Sequence, residues 1–149
     1  MEIKIETASI RVLDKLYEIE GQCFNREAFT KRQIAYLLAS YNTVPLVAKA
    51  NSDIAGFIIT NVEVENGRYY GHIITINVAP NYRRKGIAIK MLRETEAILK
   101  EKGVTECHLE VREDNSAALK LYQNCGYQKV SRLEKYYSDK HGFYFKKSL

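Results

Sequence analysis

The amino-acid order predicts an α+β fold: a mixed, mostly antiparallel central sheet of about seven strands with helices on both faces. Three observations carry this expectation. The middle of the chain holds three β-branched runs separated by turn residues, which reads as an antiparallel meander. The last run is followed by an amphipathic helix and a further alternating strand, and that order makes the two flanking strands parallel. Helical spacing occurs both ahead of the meander and behind it, giving the order βααβββαβαββ.

Each element has its own local reason. Met1 to Glu6 alternates apolar and charged residues and reads as an edge strand. Ser9 caps a first helix, in which Ile10, Leu13, Leu16, Tyr17 and Glu20 sit at helical spacing to about Gln22. Cys23 to Phe29 is a connecting loop with two aromatics, Phe24 and Phe29. Thr30 caps a second helix with Gln33 in the reciprocal position; Ile34, Leu37 and Leu38 form its apolar face, and it ends near Ser40. Val44–Lys49 and Ile54–Val64 are strands joined at Asn51-Ser52-Asp53. Asn66-Gly67 is a hairpin signal, and Tyr69–Val78 pairs back.

After Gly86, the positions Ile87, Met91, Leu92, Thr95, Ile98 and Leu99 give a long helix that stops at Gly103. Glu106–Val111 is a strand. Asp114-Asn115-Ser116 caps a short helix, Ala117–Asn124, ended by Gly126. Tyr127–Leu133 is a strand, 136–140 a loop, and Phe143–Lys147 the last strand.

The 149 residues are expected to form one domain over 1–149. No stretch of eighteen apolar residues is present, and the N-terminus lacks a basic-then-apolar signal pattern, so a cytoplasmic protein without a membrane role is expected. Three scattered cysteines suit reduced thiols, and no metal-ligand spacing links them to the three histidines. Net charge is +5, and three of the cations fall together in Arg83-Arg84-Lys85. This run lies between a strand ending at Pro80 and a helix opening at Gly86. Free N–H groups, a helix dipole and a glycine then make an anion cradle suited to a pyrophosphate.

Arg83-x-x-Gly86-x-Ala88, preceded by Val78-Ala79-Pro80, resembles the central motif of the GCN5-related N-acetyltransferase (GNAT) superfamily. Asn115-x-x-Ala118-x-x-Leu121-Tyr122-x-x-x-Gly126-Tyr127 is similar to its second signature, and the likeness covers nearly the whole chain. Within the superfamily the chain resembles the RimI-like and archaeal N-terminal acetyltransferases, through Gly71-His72-Ile73, Leu109-Glu110-Val111-Arg112 and Lys135-Tyr136-Tyr137. The first loop departs from that pattern, because no proline stands between Phe24 and Phe29.

The resemblance implies acetyl-CoA as donor, coenzyme A as product and protein N-termini as acceptors. The pyrophosphate would rest on Arg83, Arg84, Lys85, Gly86, Ile87, Ala88 and Ile89, and the pantetheine on main-chain groups of Ile76, Asn77 and Val78. Asn115 would add a contact. Glu110 is implied as proton acceptor and Tyr122 as proton donor to the departing thiolate, with Phe24, Phe29, His72, Tyr136 and Tyr137 around the acceptor. His72 or His108 would share the base role through water, or be an ordinary structural histidine. The demand on the base is small: an α-amine has a pKa of about 7.7–8.0, against about 10.4 for lysine. Ribosome association and a monomer or weak dimer are further expectations. The alternatives are transfer to a lysine side chain or small amine, and a basic RNA-binding module without catalysis, motivated by the +5 charge.

Overall fold

The computed structural model describes residues 2–24, 27–137 and 140–149. Strand β1 (Ile3–Thr7) is followed by helices α1 (Leu13–Cys23) and α2 (Lys31–Ala39). The meander β2 (Thr43–Ala50), β3 (Asp53–Glu65) and β4 (Arg68–Val78) comes next. Helix α3 (Ile87–Glu101), β5 (Glu106–Arg112), α4 (Ser116–Asn124), β6 (Gln128–Tyr137) and β7 (Lys140–Ser148) complete the order. The strands form one seven-stranded sheet, β1-β2-β3-β4-β5-β7-β6, in which β4 and β5 are the parallel pair.

Local chemistry explains the boundaries. Thr30 Oγ1 accepts from the Gln33 N–H at 3.1 Å while the Gln33 side chain accepts from the Thr30 N–H at 2.8 Å, closing the capping box expected for α2. Asn66 and Gly67 both have positive φ (53° and 77°), which a two-residue hairpin turn between β3 and β4 requires. Ser9 does not cap α1 directly; its hydroxyl accepts from the Arg11 N–H at 3.3 Å and starts a short 3-10 turn, Ile10–Val12, ahead of the helix.

Alternation along the strands separates two buried clusters. Leu46, Ala48, Ile58, Ile73, Leu109, Val111 and Phe145 pack with Ile87, Met91, Leu92 and Leu99 of α3, and α4 leans on the same cluster. Val47, Phe57 and Ile59 face the other way, against Leu16 and Ile19 of α1 and Ile34 of α2. Helices therefore cover both faces.

Two features position the cleft. Ile59 pairs with Thr75 but Thr60 pairs with Ile73, so Ile74 is an extra residue: a β-bulge in β4. Among the described residues β4 and β5 pair at Gly71↔Cys107 and His72↔His108 and part beyond that point. The second feature corrects the expected loop at 136–140. Strand β6 continues through Tyr137, which pairs with Lys140 of β7. A register shift between Leu133 and Tyr137, with Lys135 at φ 47°, bends the hairpin but does not end it. Tyr136 and Tyr137 are strand residues, held by backbone pairing that turn composition does not reveal; Ser138 and Asp139 lie outside the described residues.

Candidate active site

A cleft of about 270 Å³ opens where β4 and β5 part. It collects residues far apart in sequence: Phe24 and Phe29 beside α1 and α2, His72 and Ile76 on β4, Glu110 on β5, Asn115 and Tyr122 at α4, and Tyr136 and Tyr137 on β6. Alternation fixes their directions. Leu109 and Val111 belong to the α3-side cluster, so Glu110 between them points to the α1–α2 side. Tyr122 packs in the α3-side cluster. The gap between the strands joins the two faces, with a carboxylate on one side and a phenol on the other.

Glu110 does not stand alone. Its Oε1 lies 2.7 Å from His72 Nε2, and His72 Nδ1 lies 3.2 Å from Glu63 Oε2. Burial pulls the His72 pKa down, but the hydrogen bonds and charges of Glu110 and Glu63 outweigh it and hold the pKa above the ordinary range. With a carboxylate at each ring nitrogen, only the imidazolium donates to both. Tyr122 is 4% exposed, and burial pushes its phenol pKa up. Its ring meets Tyr127 edge-on, with centroids 5.7 Å apart. Asn115 holds the N-cap of α4, accepting from the Ala118 N–H at 3.1 Å, while it also lines the cleft.

The basic turn lies at the head of α3. Gly86 is the N-cap residue, at φ 76°, and makes no side-chain cap, so the first N–H groups of α3 have no side-chain acceptor from it. A Cβ built on Gly86 meets nothing within 4 Å, so the space in front of the turn is open. Arg84 also has positive φ, 62°. Arg83 is turned differently from the expectation: its Nε donates to the Val78 carbonyl at 3.2 Å and its Nη2 reaches Cys23 Sγ at 3.5 Å. Its guanidinium braces β4 against α1.

His108 falls outside the cleft. Nε2 is 2.6 Å from Glu106, Nδ1 meets the Tyr144 hydroxyl, and the ring stacks on Tyr70 at 4.5 Å. Of its two readings, the structural one fits this surround. Asn77 turns its side chain away to Glu20, leaving only its main chain for a ligand on the β5 side.

Sequence reasoning missed Glu20, Glu27, Thr75 and Arg112 as cleft residues. Arg112 pairs with Glu27, forks onto Asp114 at 2.9 Å, and lies 5.9 Å from the Tyr137 ring centroid. It thereby links the segment before α2 to β6. Arg112 stands in the Leu109-Glu110-Val111-Arg112 string and its period-two spacing from Glu110 was the available signal; for Glu20 the signal was its place on the apolar stripe with Leu13 and Leu16, although a carboxylate on a helix ordinarily faces water. In the first loop, Asn25 and Arg26 lie outside the described residues. No helix is long and apolar enough to cross a membrane among the described residues.

Comparison with known proteins agrees with this geometry. An N-alpha-acetyltransferase from Sulfurisphaera tokodaii is 30% identical over 93% of this chain and 87% of its own length. The crystal structure of the ribosomal-protein-S18-alanine N-acetyltransferase from Escherichia coli superposes with a TM-score of 0.88 at 23% identity, covering 99% of this chain and 94% of that one. The NatC complex bound to Gag peptide and CoA includes a chain with a TM-score of 0.90 and 25% identity, covering 100% and 99%. Residues 13–127, from the start of α1 to the end of the second glycine signature, match the acetyltransferase (GNAT) family, and the chain belongs to that family.

Proposed function

We propose that this enzyme transfers an acetyl group from acetyl-CoA to the N-terminal α-amine of proteins. The observation that carries the reading is the meeting of Glu110, paired to His72, with Tyr122 in the gap between β4 and β5. Similarity to an N-alpha-acetyltransferase supports the acceptor class. A neighbour solved with peptide and CoA supports the pairing of donor and acceptor.

The residues present fit the donor. Open space before Gly86, uncapped N–H groups at α3 and the cations Arg84 and Lys85 suit a pyrophosphate; Ile87, Ala88 and Ile89 supply the following main-chain N–H groups. The edge of β4 left unpaired by β5, at Ile76 to Val78, suits the amides of a pantetheine arm. When bound, acetyl-CoA supplies the activated acetyl group. Glu110 takes the proton that the acceptor ammonium loses, directly or through a water, and the hydrogen bond from His72 aims that carboxylate. Tyr122, its ionisation opposed by burial, acts as a neutral hydrogen-bond donor to the departing sulfur. Phe24, Phe29, Tyr136 and Tyr137 wall the acceptor with apolar area, and the tyrosines add hydroxyls for its main chain. No covalent enzyme intermediate is required.

Acetyl-CoA turnover on peptides that vary at their first two residues, beside lysine-containing and small-amine acceptors, tests the reading. N-terminal amines are expected to react fastest; faster reaction at lysine or polyamines would overturn it. The reading extends to cytoplasmic action on ribosomal or nascent chains by a monomer or weak dimer spanning 1–149. Ribosome co-sedimentation and light scattering check those parts.

A further inference from the structure

Helix α1 buries a carboxylate for which neither the fold nor the transfer chemistry accounts. Glu20 is 1% exposed and lines the cleft. Its Oε1 accepts from Thr75 Oγ1 at 2.9 Å and from Asn77 Nδ2 at 3.0 Å. Its Oε2 accepts from the Phe29 N–H at 3.1 Å. These donors are neutral, and among the described residues no cation pairs with Glu20. Burial raises the Glu20 pKa, and the hydrogen bonds from Phe29, Thr75 and Asn77 oppose that rise. A buried carboxylate held only by neutral donors is costly, and such groups persist where they hold something in place.

Three chain segments meet at this carboxylate. Phe29 opens the wall that leads into α2. Thr75 and Asn77 flank Ile76 on β4, just past the bulge at Ile74. Glu20 itself lies in the last turn of α1, whose final residue, Cys23, contacts the Val78 carbonyl through Sγ at 3.5 Å. The last turn of α1 therefore grips β4 from 75 to 78 by side chains, and Glu20 extends that grip to Phe29.

We propose that Glu20 is a positioning residue for acceptor binding: through Phe29 it fixes the acceptor wall against the strand that carries the donor. This rests on the reading of the cleft as the acceptor site. The network predicts an asymmetry between variants. In Glu20→Gln, the amide oxygen still accepts from Thr75 and Asn77, but the amide nitrogen faces the Phe29 N–H, donor against donor. That change frees Phe29 alone. Thr75→Val removes one donor to Oε1 and leaves Phe29 held.

The test is steady-state kinetics with the best wild-type peptide acceptor, beside acetyl-CoA titration calorimetry and amide hydrogen exchange at Phe29. Glu20→Gln is expected to raise acceptor KM about tenfold or more, the scale of a lost charged hydrogen bond. It should speed Phe29 exchange and leave acetyl-CoA affinity and saturating kcat close to wild type. Thr75→Val is expected to lower Tm and to raise acceptor KM less than Glu20→Gln does. Equal KM changes in the two variants, or a lowered Tm with unchanged KM in Glu20→Gln, would overturn the assignment. Should Glu20→Gln not fold, Phe29→Pro removes the same N–H from the other end, and it must raise KM beyond Phe29→Ala; equal values refute the role. Failure of the underlying reading looks different: wild type itself would not acetylate N-terminal peptides, while Phe29 exchange would still respond to Glu20→Gln.

Discussion

At the residue scale, the chemistry is concentrated in Glu110 and in the imidazole beside it. Replacing Glu110 by Gln keeps size and removes the base. Turnover should fall by about 10²-fold or more. The loss should be greatest at low pH, where more of the acceptor amine is protonated, and calorimetry should find acetyl-CoA affinity unchanged. A normal rate would remove Glu110 from the mechanism. His72 has a stability signature of its own. Its folded-state pKa is raised, so the imidazolium favours the folded state. That stabilisation is complete below the unfolded value of about 6.5 and is lost as pH rises through the higher folded value. Urea unfolding of wild type and His72→Asn should therefore differ more at about pH 6 than at about pH 9. A gap independent of pH would mean that Glu63 and Glu110 do not hold the imidazolium.

At the element scale, the start of α3 is the most exacting local structure. Gly86 has φ 76°, where any side chain is strained by roughly 1–2 kcal/mol. Gly86→Glu also puts a carboxylate into the open space before the helix, where a phosphate would repel it. Calorimetry should find acetyl-CoA binding abolished, with circular dichroism showing a folded protein of modestly lower Tm. Retained affinity would mean that the pyrophosphate rests elsewhere. The boundaries of α2, α3 and the β3–β4 hairpin were legible from Thr30, Gln33, Gly103, Asn66 and Gly67, because caps and turns are made by residues next to each other in sequence. The continuation of β6 through Tyr136 and Tyr137 was not, because its hydrogen bonds come from β7.

At the scale of the whole molecule, β4 is held from two directions. Glu20 and Cys23 grip it from α1, and Gly56 lies against it from β3. A Cβ on Gly56 would come 2.4 Å from the Asn77 carbonyl oxygen and 3.2 Å from Met91 Cε. Backbone cannot swing aside as a side chain can, so Gly56→Ala has to displace β4. Urea denaturation should show a loss of roughly 1–3 kcal/mol. Because 76–78 is the stretch assigned to the pantetheine, acetyl-CoA affinity should weaken although Gly56 touches no ligand. Unchanged affinity would mean that the displacement spares that edge.

The sequence by itself determined the element order, the parallel pair around α3, the Gly86 turn and the candidates Glu110, Asn115 and Tyr122. The order, the parallel pair and the turn depend on periodicity, capping or spacing within a short window, where the interacting groups are chain neighbours; Glu110, Asn115 and Tyr122 came as candidates through the resemblance of their motifs to the family. Only the tertiary structure decided where β4 and β5 part, since the bulge at Ile74 carries no glycine or proline to mark it. It likewise decided that His72 lies between Glu63 and Glu110, that His108 turns to Tyr144, and that Glu20 is buried against Thr75 and Phe29. Those facts are pairings across 9 to 55 positions of chain, and sheet register and helix packing set them.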